Sequence, residues 1–300
     1  PSAKLTSTFL FNLRSLSPFL LDLWSIISGS SSLSICKNSN PLTIYQEYYD
    51  ENQELFDTVP NEDRRTFAVL LKLLDDSISK LMEVTKEQGL YENSYFIFLS
   101  DNGGDSAGGG NNYPLRGLKD TLFEGGVRTP AFIYSPLLSS KLRGTEYNKM
   151  FHITDWLPTI LEGILEHDAD DFTKSSSWYG VNHWDALLGA DETPRDELLV
   201  NIDYLNSHGA VTNISLALIK ENYKLIYNVG TTTWYEVPGA NETIDVEFGN
   251  LGNFLFDLSS DPYETVNLFE EKAYKPITLK MEKLAKKLLK EYMVRCIWKT

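Results

Sequence analysis

Residues 95–104 read YFIFLSDNGG, and this stretch decides the fold class of the chain. Residues 95–99 are aromatic, apolar and β-branched, without the strict alternation of a half-exposed strand. Such a run is typical of a strand that is buried on both faces, as in a parallel sheet covered by helices. Residues 130–134 form a second run of this kind. The sequence therefore predicts an α/β fold with a parallel sheet in this part of the chain.

The segment before the first strand is the clearest helix in the sequence. Apolar residues recur at helical spacing over residues 61–89, and charged residues fall between them. Asn61 is a suitable N-cap, and Glu62 and Asp63 place carboxylates in the first turn, where the helix dipole favours them. Gly89 is the residue type that commonly ends a helix. This pattern predicts a core-facing helix, and we assign no chemistry to it.

After about residue 195 the pattern changes to short strands separated by turns that contain Gly and Asn. Four strand candidates follow one another, at residues 197–202, 214–219, 223–227 and 253–258. They predict an antiparallel sheet. Residues 274–293 then predict an amphipathic helix, whose row of lysines we interpret as a solvated face. In the first half, residues 153–165 predict a further helix with a proline near its start.

The overall composition excludes several classes of function. The chain has 27 basic and 42 acidic residues, a net charge of −15, which disfavours nucleic-acid binding as a main role. Its two cysteines, Cys36 and Cys296, exclude a disulfide-dense scaffold and a multi-cysteine zinc site. The apolar run at residues 18–27 is too short for a stable membrane span. The N-glycosylation sequons at Asn213 and Asn241 are compatible with the secretory pathway.

Asp101 and Asn102 are the candidate metal ligands, because they directly follow the first strand. Ligands of open α/β sheets bind at the carboxyl ends of strands. A carboxylate and an amide carbonyl give two hard oxygen donors, which suit Ca²⁺ or Mg²⁺ better than zinc. Since Ca²⁺ takes about six to eight oxygen ligands, the others must come from elsewhere in the chain or from the substrate. A plain Asn-Gly turn is the alternative interpretation.

A glycine-rich loop, residues 105–119, follows the candidate ligands. Its glycines allow the backbone to approach a ligand, and Arg116 and Lys119 bring cations towards the same place. A hard-metal pair with nearby cations suits an anionic oxyester such as a sulfate, a phosphate or a carboxylate. Taken singly, Lys119 is more often a surface lysine, and Arg116 and Arg128 are more often salt-bridge partners.

The string DNGG…GGNNYPLRGLKDTLFEGGVRTPAFIYSPLL, residues 101–138, resembles the sulfatase family, and within it the arylsulfatase B type. The resemblance continues through FHITDWLPTI at residues 151–160. The elements LFDL, DPYE and NL at residues 255–268 resemble the C-terminal signature of the family. Altogether the resemblance covers roughly residues 41–295, and residues 101–160 are its most specific part.

The resemblance implies a fold, a reaction and a set of site residues. Sulfatases have an alkaline-phosphatase-like α/β fold, here a partial parallel sheet, and a smaller C-terminal domain with an antiparallel sheet and a helix. They hydrolyse sulfate monoesters with a formylglycine nucleophile and a bound Ca²⁺. By position, Asp101 and Asn102 match two calcium ligands, and Lys119 matches the catalytic lysine that contacts the sulfate. The implied substrate is a sulfated small molecule or glycan, and the implied location is lysosomal or secreted.

The sequence also departs from the family pattern. The family makes formylglycine from the cysteine of a C-x-P-x-R motif, and neither cysteine of this chain lies in one. The early Asp-Asp metal pair and the Lys-x-His segment are absent, and residues 1–40 do not resemble the family. We therefore expect a non-family leader at 1–40, either native or mis-joined, part of a sulfatase catalytic domain at 41–195, and a C-terminal subdomain at 196–300.

The leading hypothesis is a fragment, about the C-terminal half, of a calcium-dependent arylsulfatase that is inactive on its own. The alternative is a non-catalytic sulfatase-like protein that binds a sulfated ligand or a partner. A related hydrolase of phosphate esters is disfavoured by the specificity of residues 101–138. His152, at the start of a predicted helix, leaves two interpretations: a catalytic residue, or a helix-start histidine with a structural hydrogen bond.

Overall fold

The structure, a computed structural model, describes residues 46–167, 179–207, 210–230 and 251–297. The expected leader, with Cys36, and the sequon residue Asn241 lie outside these ranges. The chain divides into two compact units. Of the described residues, one unit comprises 46–85 and 107–109, and the other comprises 86–106 and those from 110 onwards. The candidate ligands and Lys119 all belong to the second unit.

The predicted long helix is confirmed. A short helix, α1 (Gln46–Asn52), precedes α2 (Glu62–Glu87). Asn61 caps α2, because its side-chain Oδ1 accepts a hydrogen bond of 3.0 Å from the backbone N–H of Arg64. Gly89 follows the last turn with a φ of +68°, in the left-handed region that favours glycine after a helix.

The two apolar runs form strands, but their predicted parallel arrangement is wrong. Strand β1 (Phe96–Leu99) pairs with β2 (Ala131–Tyr134) in an antiparallel register that places Phe96 opposite Tyr134. An apolar aromatic run specifies a strand without specifying the direction of its neighbour. A single-turn helix, α3 (Glu124–Val127), lies between these strands. Phe132 is 54% exposed, so this strand is not buried on both faces.

The helix predicted over residues 153–165 is also confirmed, although its geometry is mixed. A 3₁₀ turn at Ile153–Asp155 leads into α4 (Trp156–Pro158), which continues as a π-helical stretch at Thr159–Ile164. Pro158 is tolerated because it lies in the first turn after the 3₁₀ segment, where a missing N–H costs little. A further short helix is α5 (Trp184–Leu187).

The predicted C-terminal antiparallel sheet is confirmed. Its strands are β3 (Glu197–Ser207), β4 (Ala210–Lys220), β5 (Tyr223–Gly230) and β6 (Leu251–Asp257). They lie side by side in chain order, and each pair is antiparallel. The predicted final helix is α6 (Lys275–Ile297).

This sheet buries both of its faces, because successive side chains of a strand point to opposite sides. Leu216 and Leu218 of β4 pack in the cluster that contains the buried face of α6. Ala217, between them, packs with Phe123, which precedes α3. The cluster on the helix side is completed by Leu199, Leu225, Leu255, Phe269, Met281, Ala285 and Leu288. Among the described residues, no helix is long and apolar enough to cross a membrane.

Candidate functional site

Asp101 and Asn102 lie in a tight turn directly after β1. Asp101 is exposed, and its Oδ1 accepts a hydrogen bond of 3.0 Å from the backbone N–H of Asn102. The Nδ2 group of Asn102 donates to the carbonyl of Gly103 at 2.8 Å, and the hydroxyl of Ser100 donates to the carbonyl of Asn102 at 2.9 Å. These bonds fix the turn while Oδ2 of Asp101 and Oδ1 of Asn102 accept nothing from any residue in the described ranges. The turn and the metal interpretations are therefore compatible.

Close backbone contacts hold this turn against α3. The N–H of Gly103 donates to the carbonyl of Gly126 at 2.9 Å, and a Cβ atom at Gly103 would lie 1.7 Å from the carbonyl oxygen of Gly125. A Cβ atom at Gly125 would in turn lie 2.4 Å from the carbonyl oxygen of Gly117. Glycine is required where backbone meets backbone in this way. Three separate segments thus contact one another without intervening side chains.

Lys119 is brought to the same turn by the glycine-rich loop. Its backbone N–H donates to the carbonyl of Gly104 at 3.1 Å. Asn112 reinforces this contact: its side chain accepts from the N–H of Gly104 at 2.7 Å, donates to the Gly104 carbonyl at 2.9 Å, and donates to the Gly117 carbonyl at 3.2 Å. The Lys119 ammonium is half-buried and has no ion-pair partner in the part of the chain that the structure describes. The structure therefore brings the backbones of all three predicted site residues together.

Arg116 does not supply a cation to this site, so that expectation is wrong. It is buried, its Nη1 donates to the carbonyl of Glu264 at 3.2 Å, and its guanidinium lies 4.3 Å from the ring centroid of Phe123. Burial lowers the pKa of Arg116. Arg128 lies 3.9 Å from a carboxylate oxygen of Glu124, as the salt-bridge interpretation predicts.

The donors of this turn fit a hard cation, but only as part of a coordination shell. Asp101 and Asn102 offer one carboxylate and one amide oxygen, both of which suit Ca²⁺. Across the described ranges, no group of three or more His, Cys, Asp or Glu residues could hold a metal ion. The remaining ligands would have to come from outside the described residues or from a bound anion.

A buried ionic triad links α3 to the C-terminal sheet, and sequence analysis did not predict it. The Nζ atom of Lys224, on β5, lies 2.8 Å from Oε1 of Glu124 and 2.9 Å from Oε1 of Glu264. The other oxygen of Glu264 accepts from the backbone N–H of Glu124 at 2.7 Å. Lys224 and Glu264 are fully buried. The signal that could have found the triad is a lysine inside an apolar strand together with the glutamate of the DPYE element.

The triad has two carboxylates for one lysine, and this imbalance affects the hydrogen bonding and the pKa of Glu264. Its Oε1 is close to Lys224 but lacks hydrogen-bond alignment, and it has no other donor in the described part of the chain. Burial raises the pKa of Glu264, and the nearby charge of Glu124 adds to this effect, against the opposing influence of Lys224. The contact stabilises the junction between α3 and β5, and we assign it a structural role.

A second buried cluster, around Asp155, was also missed. Arg195 holds this carboxylate with two hydrogen bonds, from Nη2 at 2.6 Å and from Nε at 2.9 Å. Nε2 of His183 lies 3.1 Å from the same carboxylate, and the backbone N–H groups of His152 and Val181 donate to it at 2.8 and 2.9 Å. Five donors therefore converge on one fully buried carboxylate.

These contacts determine the ionisation of Asp155. Burial by itself would raise its pKa, but the hydrogen bonds from His183, Arg195 and the backbone hold the pKa well below its usual range. Tyr147 lies next to this cluster, with its hydroxyl 2.7 Å from Nδ1 of His183. Burial and the charge of Asp155 raise the pKa of Tyr147 to about 12. Asp155 thus ties together the helix of residues 153–164 and the segment before β3, and its contacts favour the ionised carboxylate.

His152 has the structural role that was one of its two interpretations. Its Nδ1 lies 2.8 Å from the hydroxyl of Thr154, and the residue caps the 3₁₀ turn Ile153–Asp155. Burial lowers its pKa, with a further contribution from Arg195. The sequon residue Asn213 lies in β4, where its backbone pairs with Leu205 of β3.

Comparison with known proteins identifies relatives of this chain. The Sulfatase family model matches residues 32–163. Arylsulfatase J of Mus musculus is 32% identical over 255 residues, which is 76% of this chain and 40% of that protein. N-acetylgalactosamine-6-sulfatase of Homo sapiens is 35% identical over 77 residues, which is 24% of this chain and 15% of that protein.

The fold is similar to that of a solved sulfatase. The crystal structure of PsFucS1 sulfatase from Pseudoalteromonas sp. superposes with a TM-score of 0.52 and 27% sequence identity, covering 76% of this chain and 43% of that one. The chain therefore spans less than half the length of these relatives. The chain belongs to the sulfatase family.

Proposed function

We propose that this chain carries part of the active site of an arylsulfatase-type sulfuric ester hydrolase. The observation that supports this most directly is the hydrogen bond of 3.1 Å from the N–H of Lys119 to the carbonyl of Gly104. It brings the lysine that the family resemblance assigns to sulfate next to the turn with the two oxygen donors, Asp101 and Asn102. A cation next to a hard-metal site suits an anion that both would contact, such as a sulfate ester.

Asp101 and Asn102 would hold a calcium ion, and Lys119 would contact the sulfate. When bound, the ion would act as a Lewis acid that polarises a sulfate oxygen. The ammonium of Lys119 would stabilise the negative charge that develops on the sulfate or on the leaving oxygen. Both roles require the turn to stay in place, which the backbone contacts of Gly103 with α3 accomplish.

The substrate would be a sulfated small molecule or glycan. The similarity to arylsulfatase J and to N-acetylgalactosamine-6-sulfatase supports this class. The arylsulfatase B type and a location in lysosomes or outside the cell remain proposals, with the sequons at Asn213 and Asn241 as modest support. We also propose that the chain corresponds to about the C-terminal half of such an enzyme.

This 300-residue chain has no C-x-P-x-R motif, so we expect it to bind its ligands without hydrolysing a sulfate ester. A nucleophile needs its activating neighbours, and one lysine cannot replace them. The absence of this motif is also the observation that favours the second candidate, a sulfatase-like protein that binds a sulfated ligand without catalysis. The two candidates share the turn at Asp101 and differ in whether a nucleophile joins it.

Metal binding by the full 300-residue chain tests the proposal. Tb³⁺, whose luminescence nearby aromatic residues sensitise, is titrated into the protein and then displaced by Ca²⁺. We expect weak but displaceable binding, since this turn offers two of the ligands that Ca²⁺ needs. Asp101→Ala should abolish the Ca²⁺-displaceable signal. Asp75→Ala, which removes an exposed carboxylate from α2, is the matched control and should leave it unchanged.

The outcomes separate the parts of the proposal. Unchanged displacement in Asp101→Ala would show that the metal binds elsewhere and would overturn the ligand assignment. Hydrolysis of an aryl sulfate by the purified chain, lost in Lys119→Ala, would support the enzymatic assignment and contradict the expected inactivity. Metal binding without hydrolysis is the result that the proposal expects.

A further inference from the structure

The C-terminal helix α6 carries a dense patch of positive charge. Residues 272–290 contain seven lysines and one acidic residue, Glu282, although the whole chain has a net charge of −15. The lysines of α6 are Lys275, Lys280, Lys283, Lys286, Lys287 and Lys290, and all of them are exposed. A local surplus of one sign against an opposite net charge creates a distinct potential at that surface.

The helix geometry places these six lysines on one side, which we call the lysine face. At about 100° per residue they fall within an arc of about 140°. Met281, Ala285 and Leu288 lie on the opposite side and are buried against the sheet. From Lys275 to Lys290 the row is about 22 Å long, since a helix rises about 1.5 Å per residue.

Little of this charge is neutralised by the protein itself. Lys280 lies 3.4 Å from Glu221, in a pair whose side chains are 64% and 58% exposed. Such an exposed pair contributes little. In the described ranges, no ion pair involves Lys283, Lys286 or Lys290. Lys283, Lys286 and Lys290 therefore place three exposed ammonium groups along this side of the helix, where an external polyanion can contact them.

The surroundings of the helix decide between classes of polyanion. A basic amphipathic helix binds a membrane by inserting its apolar face, but here that face is already packed against β3–β6. The net charge of −15 opposes nucleic acid and sulfated polymers alike, so charge alone does not choose between these two polyanions. We propose that the lysine face binds a polysulfated glycan. This choice rests on the proposed function, whose substrate class includes sulfated glycans, whereas the lysine face itself requires only a linear array of anions.

Binding of a defined polymer tests this inference on the full chain. Dextran sulfate is titrated with the protein at several salt concentrations, with uncharged dextran as the negative probe. A triple variant keeps helix-compatible side chains at three exposed positions of the lysine face: Lys283→Gln, Lys286→Gln and Lys290→Gln. We expect it to bind about tenfold more weakly at low salt and with a flatter salt dependence, since fewer counterions are released. Circular dichroism checks that both proteins have the same fold.

The matched control removes the same charge elsewhere, at the exposed residues Lys80, Lys141 and Arg143, each changed to Gln. Equal losses in both triple variants would show a net-charge effect and overturn the inference. Tighter binding of a DNA duplex than of dextran sulfate would overturn the glycan assignment. Tb³⁺ binding tests the proposed function separately: the lysine-face variant should retain it, and Asp101→Ala should retain dextran sulfate binding. A failure of one proposal is thereby distinguished from a failure of the other.

Discussion

Asp155 and Glu264 are both fully buried carboxylates, yet their pKa values shift in opposite directions. Asp155 receives two bonds from Arg195, one from His183 and two from the backbone. Glu264 shares the single ammonium of Lys224 with a second carboxylate. Burial acts to raise the pKa of both carboxylates. At Asp155 the converging hydrogen bonds outweigh it and lower the pKa, whereas at Glu264 one shared ammonium does not, and the pKa is raised.

Asp155→Ala should have the largest effect, because it leaves the buried guanidinium of Arg195 without a counter-charge. We expect a loss of about 3–5 kcal/mol in the free energy of unfolding, measured by urea denaturation at pH 7. The exposed Asp191→Ala is the matched control, expected to stay within about 0.5 kcal/mol of the wild type. A loss at Asp155 no larger than the control would contradict the proposed role of the cluster.

The effect of Asp155→Ala should depend on pH, because the pKa of Asp155 is lowered in the folded protein. The folded pKa of Asp155 is lowered, so its stabilisation is present above its unfolded pKa of about 3.9 and is lost as the pH falls towards the folded value. The difference in stability between wild type and variant should therefore shrink as the pH is lowered below about 4. A difference that stays constant down to acidic pH would show that ionised Asp155 is not its source.

Lys224→Ala should have the next largest effect, because two buried carboxylates lose their cation. We expect a loss of about 3 kcal/mol at pH 7, in the range for a broken buried pair. The cost should decrease at lower pH, since the carboxylates can be protonated, whereas Arg195 in the other cluster cannot lose its charge. Lys220→Ala, on the neighbouring strand, is the control for an exposed lysine pair. Equal costs at pH 5 and pH 7 would contradict this account.

Glu264→Gln should have the smallest effect of the three, about 1 kcal/mol, because Lys224 keeps Glu124 as its partner. The sign of its pH dependence is opposite to that of Asp155. The folded pKa of Glu264 is raised, so its favourable contribution is present below about pH 4 and is lost as the pH rises through the folded value. Thermal unfolding should therefore show the variant losing most at acidic pH and recovering towards neutrality. The reverse trend would show that the pKa of Glu264 is lowered instead.

Local sequence patterns were sufficient for much of the fold. The capping residue Asn61, the apolar spacing of α2 and the short strand candidates between Gly and Asn turns in the C-terminal sheet each depend on a few neighbouring residues. Each could therefore be recognised without knowing the tertiary contacts. The direction of β1 against β2 could not be recognised, because it depends on the path of the intervening loop. Both buried clusters were missed for a related reason: their partners are far apart in sequence, such as the 100 residues between Glu124 and Lys224.

In the candidate site, too, local motifs could be predicted and long-range contacts could not. Asp101, Asn102 and Lys119 were identified through their motifs, and the structure brings their backbones together. Arg116 carries the same charge in the same loop, but its position depends on Phe123 and on the carbonyl of Glu264, which lies 148 residues away. A charge pattern in a loop cannot distinguish a residue that faces a ligand from one that packs into a core.

The contact of Gly103 with Gly125 and Gly126 has a consequence for how such a site can diversify. Main-chain atoms form this contact with α3, so it does not depend on the side chains at exposed positions of the neighbouring loop, such as Tyr113. The two oxygen donors of Asp101 and Asn102 are thereby insulated from sequence drift in that loop, whereas a side chain added at Gly103 or Gly125 would displace the backbone that carries them.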